Sequence, residues 1–194
     1  MENGTLGYRK ALPMSIVSAK TKFMKQTVFR FGTYSALFII IFFALTWMIF
    51  GNSVEKNYET QEVVGYLGIF LATSFAFFGI KHYRDKVNAG QLTFGQGLKV
   101  GLLIVLIAAL AFAVVDLVYV LFINPDFFEN YYNYQVSQMK VSMTPDHFAE
   151  QLKEMESQKK IMSNPAVLFV LMFFTVVVIG LIVSVVSALI LKKV

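Results

Sequence analysis

Four long runs of apolar residues limit the folds that this sequence can adopt. The runs cover residues 31–50, 63–80, 100–123 and 166–191. A helix needs about 20 apolar residues to cross the hydrocarbon core of a bilayer, and none of these runs shows the polar face of a helix on a soluble bundle. Only 15% of all residues are charged, against about 25% in soluble domains. We therefore expect an all-α membrane protein with four transmembrane helices.

The basic residues are divided unevenly between the two sides that four spans would create. Twelve of the 17 Lys and Arg residues lie before the first span, between the second and third spans, and after the fourth; five lie in the other two loops. Because cytoplasmic loops are enriched in Lys and Arg, both termini are predicted to be cytoplasmic. We expect a basic leader, residues 1–27, that lies on the inner leaflet or forms a flexible tail. Residues 28–193 would form one membrane domain.

The long segment between the third and fourth spans, about residues 125–162, is predicted to contain two helices. They would cover about 125–140 and 145–162, since Asn124-Pro125 and Thr144-Pro145 each combine a capping residue with Pro at the first helical position. Asn164-Pro165 repeats this pattern at the start of the fourth span. The second helix has an apolar stripe, formed by Phe148, Leu152, Met155 and Met162. Two interpretations remain open: the helices rest on the outer leaflet and the span ends, or they form a cap that binds a partner or ligand.

The loop between the second and third spans is rich in cations. The residues expected to contact phosphate groups of inner-leaflet lipids are Lys81, Arg84, Lys86 and Lys99. Asp85 is positioned to pair with Arg84 or Lys86. Thr93 is predicted to cap a helix that begins near Phe94.

Small residues recur at helical spacing in the third and fourth spans. Gly97 and Gly101 are one turn apart, and Gly180, Ser184 and Ala188 follow one another every four residues. Small residues allow helix backbones to approach closely in lipid. We expect these residues to pack helices together, either inside the bundle or between copies of the chain.

Several short motifs resemble those of a family of small four-span bacterial membrane proteins, classed as a domain of unknown function. They are GIKHYRDK (79–86), TFGQGLKVG (93–101), NPDF (124–127) and SALILKK (187–193). The likeness covers about residues 28–193. It implies a multi-pass protein of the bacterial inner membrane, and it transfers no site residues because the family has no assigned activity.

Asp116 is the one charged residue inside the predicted spans. A charged group in a span is costly, and such residues often mark ion or proton paths. Counting along the other spans places Thr46, Thr73 and Thr175 within a turn or two of its depth. Asp116 is therefore either a structural acid, hydrogen-bonded to neighbouring hydroxyl groups or to Tyr119, or part of an ion or substrate site.

No constellation of catalytic residues is visible. The chain has no Cys and two His residues, which the predicted topology places on opposite sides of the membrane, so that they cannot share a metal ion. We expect no enzymatic activity and no cofactor. The leading hypothesis is a protein that binds or organises a partner, either lipid, another protein or a second copy of itself. The alternative is a small oligomeric transporter or channel that uses Asp116. No nucleic-acid partner is expected, because membrane electrostatics accounts for the basic surface.

Overall fold

The computed structural model describes residues 14–50 and 58–193, and in this part of the chain the regular structure is helical apart from one isolated β-bridge. The helices are α1 (Met14–Phe50), α2 (Tyr58–Thr73), α3 (Phe75–His82), α4 (Phe94–Val118), α5 (Phe127–Ser142), α6 (Pro145–Met162) and α7 (Pro165–Leu191). Two π-helical turns, Tyr83–Val87 and Tyr119–Ile123, extend α3 and α4.

Four apolar stretches of 27 to 31 residues are long enough to cross a membrane. They are Lys20–Phe50, Tyr58–Val87, Phe94–Ile123 and Pro165–Leu191. The predicted all-α fold with four spans is therefore confirmed, and the chain is a multi-pass membrane protein.

The first helix begins well before the first apolar run. From Met14 onward the predicted leader is part of α1, while residues 1–13 lie outside the described residues. Thr27 and Val28 are buried, so α1 continues to pack on the bundle where its sequence becomes basic. The helix thus extends further than hydropathy alone indicates.

The second span is broken at Ser74, between α2 and α3. The Ser74 hydroxyl group donates a hydrogen bond to the Phe70 carbonyl, at 2.8 Å, and such bonds to the preceding turn tend to bend helices. The buried Ser35 hydroxyl group of α1 donates to the Ala72 carbonyl at 2.6 Å. A bond between two spans therefore lies beside the break.

Three helices begin at the predicted residues, and two of the three predicted side-chain caps are present. Thr93 and Gln96 form a capping box at the start of α4. Helices α6 and α7 begin at Pro145 and Pro165; the Asn164 side chain accepts a hydrogen bond from the Ala166 amide, whereas the Thr144 side chain makes no capping hydrogen bond. These local signals were therefore sufficient to place the beginnings of three helices.

The predicted start of α5 is wrong. The helix begins at Phe127 rather than at Pro125. Asn124 does not cap it, because the side-chain amide of Asn124 donates to the Tyr119 hydroxyl group at 3.1 Å. Asn124 thus caps the end of the π-helical turn that extends α4, and α5 begins two residues later than predicted.

The two ends of the bundle differ, and we name them by what they contain. At the loop end, the backbones of Leu92 and Lys193 are joined by two hydrogen bonds of 2.6 and 2.9 Å, and Lys20 donates to Asn88 at 3.1 Å. The start of α1, the loop between α3 and α4, and the end of α7 therefore meet there. At the opposite, cap end lie α5 and α6, which together form the cap.

Helix α4 packs most extensively on α7 and then on α1. A methyl group added to Gly97 would lie 3.0 Å from Ala188 Cβ, and one added to Gly101 would lie 2.8 Å from Ser184 Oγ. At Gly180 it would overlap Val105 of α4. The five small residues singled out in the sequence thus lie between α4 and α7 of one chain, where the backbones approach closely.

Candidate functional site

A cavity of about 520 Å³ lies at the cap end, between the spans and the cap. Each described α-helix except α3 contributes to its lining. The volume is in the range of sites that bind small molecules, about 300–1,000 Å³. The cavity is therefore the candidate functional site.

Aromatic residues at helical spacing form much of the cavity wall. On α1, Phe43 and Trp47 are one turn apart; on the third span, Phe112 and Tyr119 are two turns apart and share a face. Trp47 and Tyr119 stack with ring centroids 4.9 Å apart, and Phe43 meets Phe112 edge to face at 5.0 Å. The two helices thus line one side of the cavity with rings.

The cap and the start of α2 add further rings to the cavity lining. Tyr58, at the start of α2, is buried with its ring centroid 5.4 Å from that of Tyr131 and 5.0 Å from that of Tyr134. Tyr58 and Tyr131 both line the cavity. Aromatic packing between α2 and α5 therefore positions the cap over the ends of the spans.

Asp116 lies on the cavity-lining face of α4, between Phe112 and Tyr119. Its Oδ2 atom is buried and has no hydrogen-bond partner among residues 14–50 and 58–193. Burial of a polar group without a partner is unfavourable. The carboxylate is thus positioned to interact with a molecule in the cavity.

Of the three threonines predicted near Asp116, the structure brings two to the cavity. Thr46 and Thr175 line it, and their hydroxyl groups donate to the carbonyls of Phe42 and Leu171, at 2.6 and 2.9 Å. Both hydroxyl groups are therefore bonded within their own helices rather than to the carboxylate.

Thr73 does not line the cavity. It is buried elsewhere and donates to the Phe70 carbonyl at 3.0 Å. The Tyr119 hydroxyl group, considered as another partner for Asp116, accepts from the Asn124 side chain and makes no hydrogen bond to Asp116 Oδ2. None of these hydroxyl groups thus makes a hydrogen bond to Asp116 Oδ2. They do not support the interpretation of Asp116 as an acid bonded to neighbouring hydroxyl groups.

Lys159 fastens α6 to α5. Its ammonium group pairs with Glu129 and lies 4.5 Å from the centroid of the Tyr132 ring. The residues of the apolar stripe predicted on α6 are partly covered by the rest of the protein. Two of these residues, Met155 and Met162, line the cavity. The amphipathic pattern of α6 therefore corresponds to its contact with the rest of the molecule.

Sequence reasoning missed most of the cavity lining. The missed polar residues are Gln61, Glu62, Gln158 and Lys159. The spacing of Phe43, Trp47 and Phe50 on α1 was a usable signal, since rings at positions i, i+4 and i+7 share one helix face. Which faces oppose one another was not readable from the sequence.

The residues predicted to contact lipid phosphates lie at the loop end, whereas the cavity lies at the cap end. Lys81, Lys86 and Lys99 are exposed. Arg84 is partly covered; it pairs with Asp85 at 2.6 Å and donates to the Leu191 carbonyl at 3.5 Å. Three of the four cations are thus available on the surface, and the fourth is held by protein groups.

The two histidines lie at opposite ends of the molecule. His82 Nδ1 is 3.4 Å from the Thr27 hydroxyl oxygen at the loop end, whereas His147 is in the first turn of α6. Among the residues that the structure describes, no group of three His, Asp or Glu side chains could hold a metal ion.

The model of a family described as "Protein of unknown function (DUF4199)" matches residues 30–193. The matched region contains α2 to α7 and most of α1, and with them the whole cavity lining. No curated protein and no solved structure matches the chain.

Proposed function

Since the chain belongs to the DUF4199 family, which is described only as of unknown function, we propose a function from the cavity itself. The protein is a non-enzymatic membrane protein that binds an amphipathic small molecule or lipid at its cap end. The observation that carries this proposal is the cavity of about 520 Å³, lined by both the spans and the cap. Ligand sites are typically concave and mostly apolar, with a few polar groups that orient the ligand.

Binding in this cavity would affect how the cap is held on the spans. Because α1, α2, α4 and α7 all contribute to the wall together with α5 and α6, a bound molecule would contact the spans and the cap at once. Occupancy would therefore fix the position of the cap relative to the spans, and the cap surface is where a protein partner or a second copy would sense it.

We place the protein in the bacterial inner membrane, with the loop end and both termini in the cytoplasm. The family resemblance supports the bacterial inner membrane. The distribution of basic residues supports the orientation, with twelve on the side of the loop end against five on the other. In this orientation Lys81, Lys86 and Lys99 face the phosphate groups of the inner leaflet, and the cavity receives its ligand from the extracytoplasmic side.

The binding proposal is tested by filling the cavity. Gly65 lines it, and nothing lies within 4 Å of the position that its Cβ would take. The Cβ atom of Gly65→Leu therefore meets open space, and the rest of the leucine side chain is intended to occupy the cavity. Gly95→Leu is the matched control, since Gly95 is equally open but lies at the start of α4, at the loop end.

The readout uses Trp47, the one tryptophan in the chain. The neutral fluorophore N-phenyl-1-naphthylamine accepts energy from tryptophan, so saturable transfer from Trp47 reports occupancy in uncharged detergent. We expect Gly65→Leu to weaken this binding by about tenfold or more, a difference of about 1.4 kcal/mol, and Gly95→Leu to leave it unchanged. Equal binding by the two variants would refute the proposal.

The orientation is tested with single cysteines, which is direct because the chain has none. Gln91→Cys lies in the exposed loop and Ser142→Cys at the exposed end of α5. In intact cells an impermeant thiol reagent should label only position 142. Labelling of position 91 alone would reverse the orientation.

A second candidate function is a small oligomeric transporter or channel. The observation that favours it is the carboxylate of Asp116, buried in the cavity wall without a described partner. Vesicles containing the wild-type protein would then show a flux of protons or other cations that Asp116→Asn abolishes. No flux in the wild type would remove this candidate for the ions tested, and flux that survives Asp116→Asn would remove Asp116 from the path.

A further inference from the structure

We propose that the cavity binds an organic cation with an aromatic or aliphatic body. The cation is held by the Asp116 carboxylate and by the faces of the surrounding rings. This inference rests on the proposed binding function and specifies the chemical class of its ligand.

The first argument is the unsatisfied carboxylate. Asp116 is in the cavity wall, and its Oδ2 atom is buried with no partner in the described part of the chain. The hydroxyl groups of Thr46 and Thr175 are bonded to carbonyls of their own helices. Among the described residues the Oδ2 atom therefore has no hydrogen-bond donor, and the charge of a cationic ligand would compensate that of the carboxylate.

The second argument is that the basic residue of the lining is already engaged. Among the described residues that line the cavity, Lys159 is the one Lys or Arg, and it pairs with Glu129 on α5 and contacts the Tyr132 ring. Glu62 adds a second acidic group to the lining. The cavity thus offers negative charge to a ligand, while its own cation is held in the cap.

The third argument is the placement of the rings relative to the carboxylate. Phe112 lies four residues before Asp116 on the same helix, and Tyr119 lies three residues after it; both line the cavity, and Trp47 stacks on Tyr119. Ring faces attract cations, most strongly at Trp and in desolvated sites. A carboxylate among rings is a combination that favours a lipophilic cation over a neutral or anionic molecule of equal size.

Two probe ions of nearly the same size and opposite charge test this directly. Tetraphenylphosphonium and tetraphenylborate are compared as competitors of N-phenyl-1-naphthylamine in uncharged detergent. We expect the wild type to bind the cation about tenfold or more tightly than the anion. Equal displacement by the two ions, or stronger displacement by the anion, would overturn the inference without any variant.

The Asp116→Asn substitution tests whether Asp116 is the source of the preference for a cation. The substitution keeps the size of the side chain and removes its charge, so the affinity for tetraphenylphosphonium should fall by about tenfold while that for the neutral fluorophore persists. Asp146→Asn is the matched control, because Asp146 is exposed in the first turn of α6 and does not line the cavity. An unchanged cation affinity in Asp116→Asn would overturn the inference.

The two proposals fail in different ways. If Gly65→Leu blocks the neutral fluorophore but the wild type does not prefer the cation, the cavity binds a ligand of another class. If Gly65→Leu and Gly95→Leu bind the fluorophore equally, the cavity is not the binding site and both proposals fall.

Discussion

The loop half and the cap half of the bundle are built from the same four spans and differ in side-chain size. In the loop half, Gly97 and Gly101 of α4 lie against Ala188 and Ser184 of α7. In the cap half, the third span presents Phe112, Asp116 and Tyr119 instead, and a cavity lies there. Small residues let α4 and α7 approach closely in the loop half. The cavity lies where the third span presents Phe112, Asp116 and Tyr119.

This difference separates two tasks. Lipid tails are as apolar as the side chains of the spans, so helices associate in a membrane through close packing and hydrogen bonds. The loop half has that close packing, together with the backbone bridge between Leu92 and Lys193. In the cap half the helices pack less closely around the cavity, which leaves room for a ligand. We expect substitutions in the two halves to have opposite consequences for stability and binding.

The largest difference is expected for the same substitution placed in each half. Gly101→Leu would drive a side chain into Ser184 and Ile80, at a cost of about 3 kcal/mol in the free energy of unfolding. Gly65→Leu meets open space and should stabilise α2 by about 0.5–1 kcal/mol, because glycine is a poor helix former. Thermal unfolding in detergent measures both. A tolerated Gly101→Leu would contradict close packing as the basis of the loop half.

A smaller difference is expected between two buried serines. Ser35→Ala removes the hydrogen bond from α1 to the Ala72 carbonyl and should lower the free energy of unfolding by about 1 kcal/mol. The Ser184 hydroxyl group is buried with no partner among the described residues, so Ser184→Ala should leave stability unchanged or raise it by up to about 1 kcal/mol. Equal losses in both variants would mean that the contact at Ser184 depends on its hydroxyl group.

The smallest effect on stability is expected in the cap. Lys159→Met removes the contacts with Glu129 and Tyr132, and because the pair is partly exposed the loss should be below about 1 kcal/mol. The cap should nevertheless loosen, so acrylamide should quench the fluorescence of Trp47 more strongly. Lys153→Met, on the exposed face of the same helix, is the control. Identical quenching in the two variants would show that Lys159 does not hold the cap.

Much of the fold was readable from the sequence, because its signals are local. The four apolar runs gave the spans, and Thr93, Pro145 and Pro165 gave the starts of three helices. The start of α5 was missed because a bond between the side chains of Asn124 and Tyr119 extends the third span. That bond competes with the cap that the dipeptide Asn124-Pro125 favours.

The candidate site was only partly readable, because depth in the membrane can be counted and rotation about a helix axis cannot. Counting placed Thr46, Thr73 and Thr175 near Asp116, but Thr73 does not line the cavity. Thr73 is the last residue of α2, next to the break in the second span at Ser74. Hydropathy does not reveal this break. The rings of α1 had a readable spacing, yet only the packed helices bring Trp47 to Tyr119.

The pairing of α4 with α7 also has a consequence for biosynthesis. A ribosome makes α4 first and must add the 41 residues from Asn124 to Asn164 before α7 begins. During that interval the face of α4 that carries Gly97 and Gly101 has no α7 to cover it, whereas α1, its other main neighbour, has already been made. The α1–α4 contact can therefore form before the α4–α7 contact, and until α7 is made this face of α4 is open to lipid or to the insertion machinery.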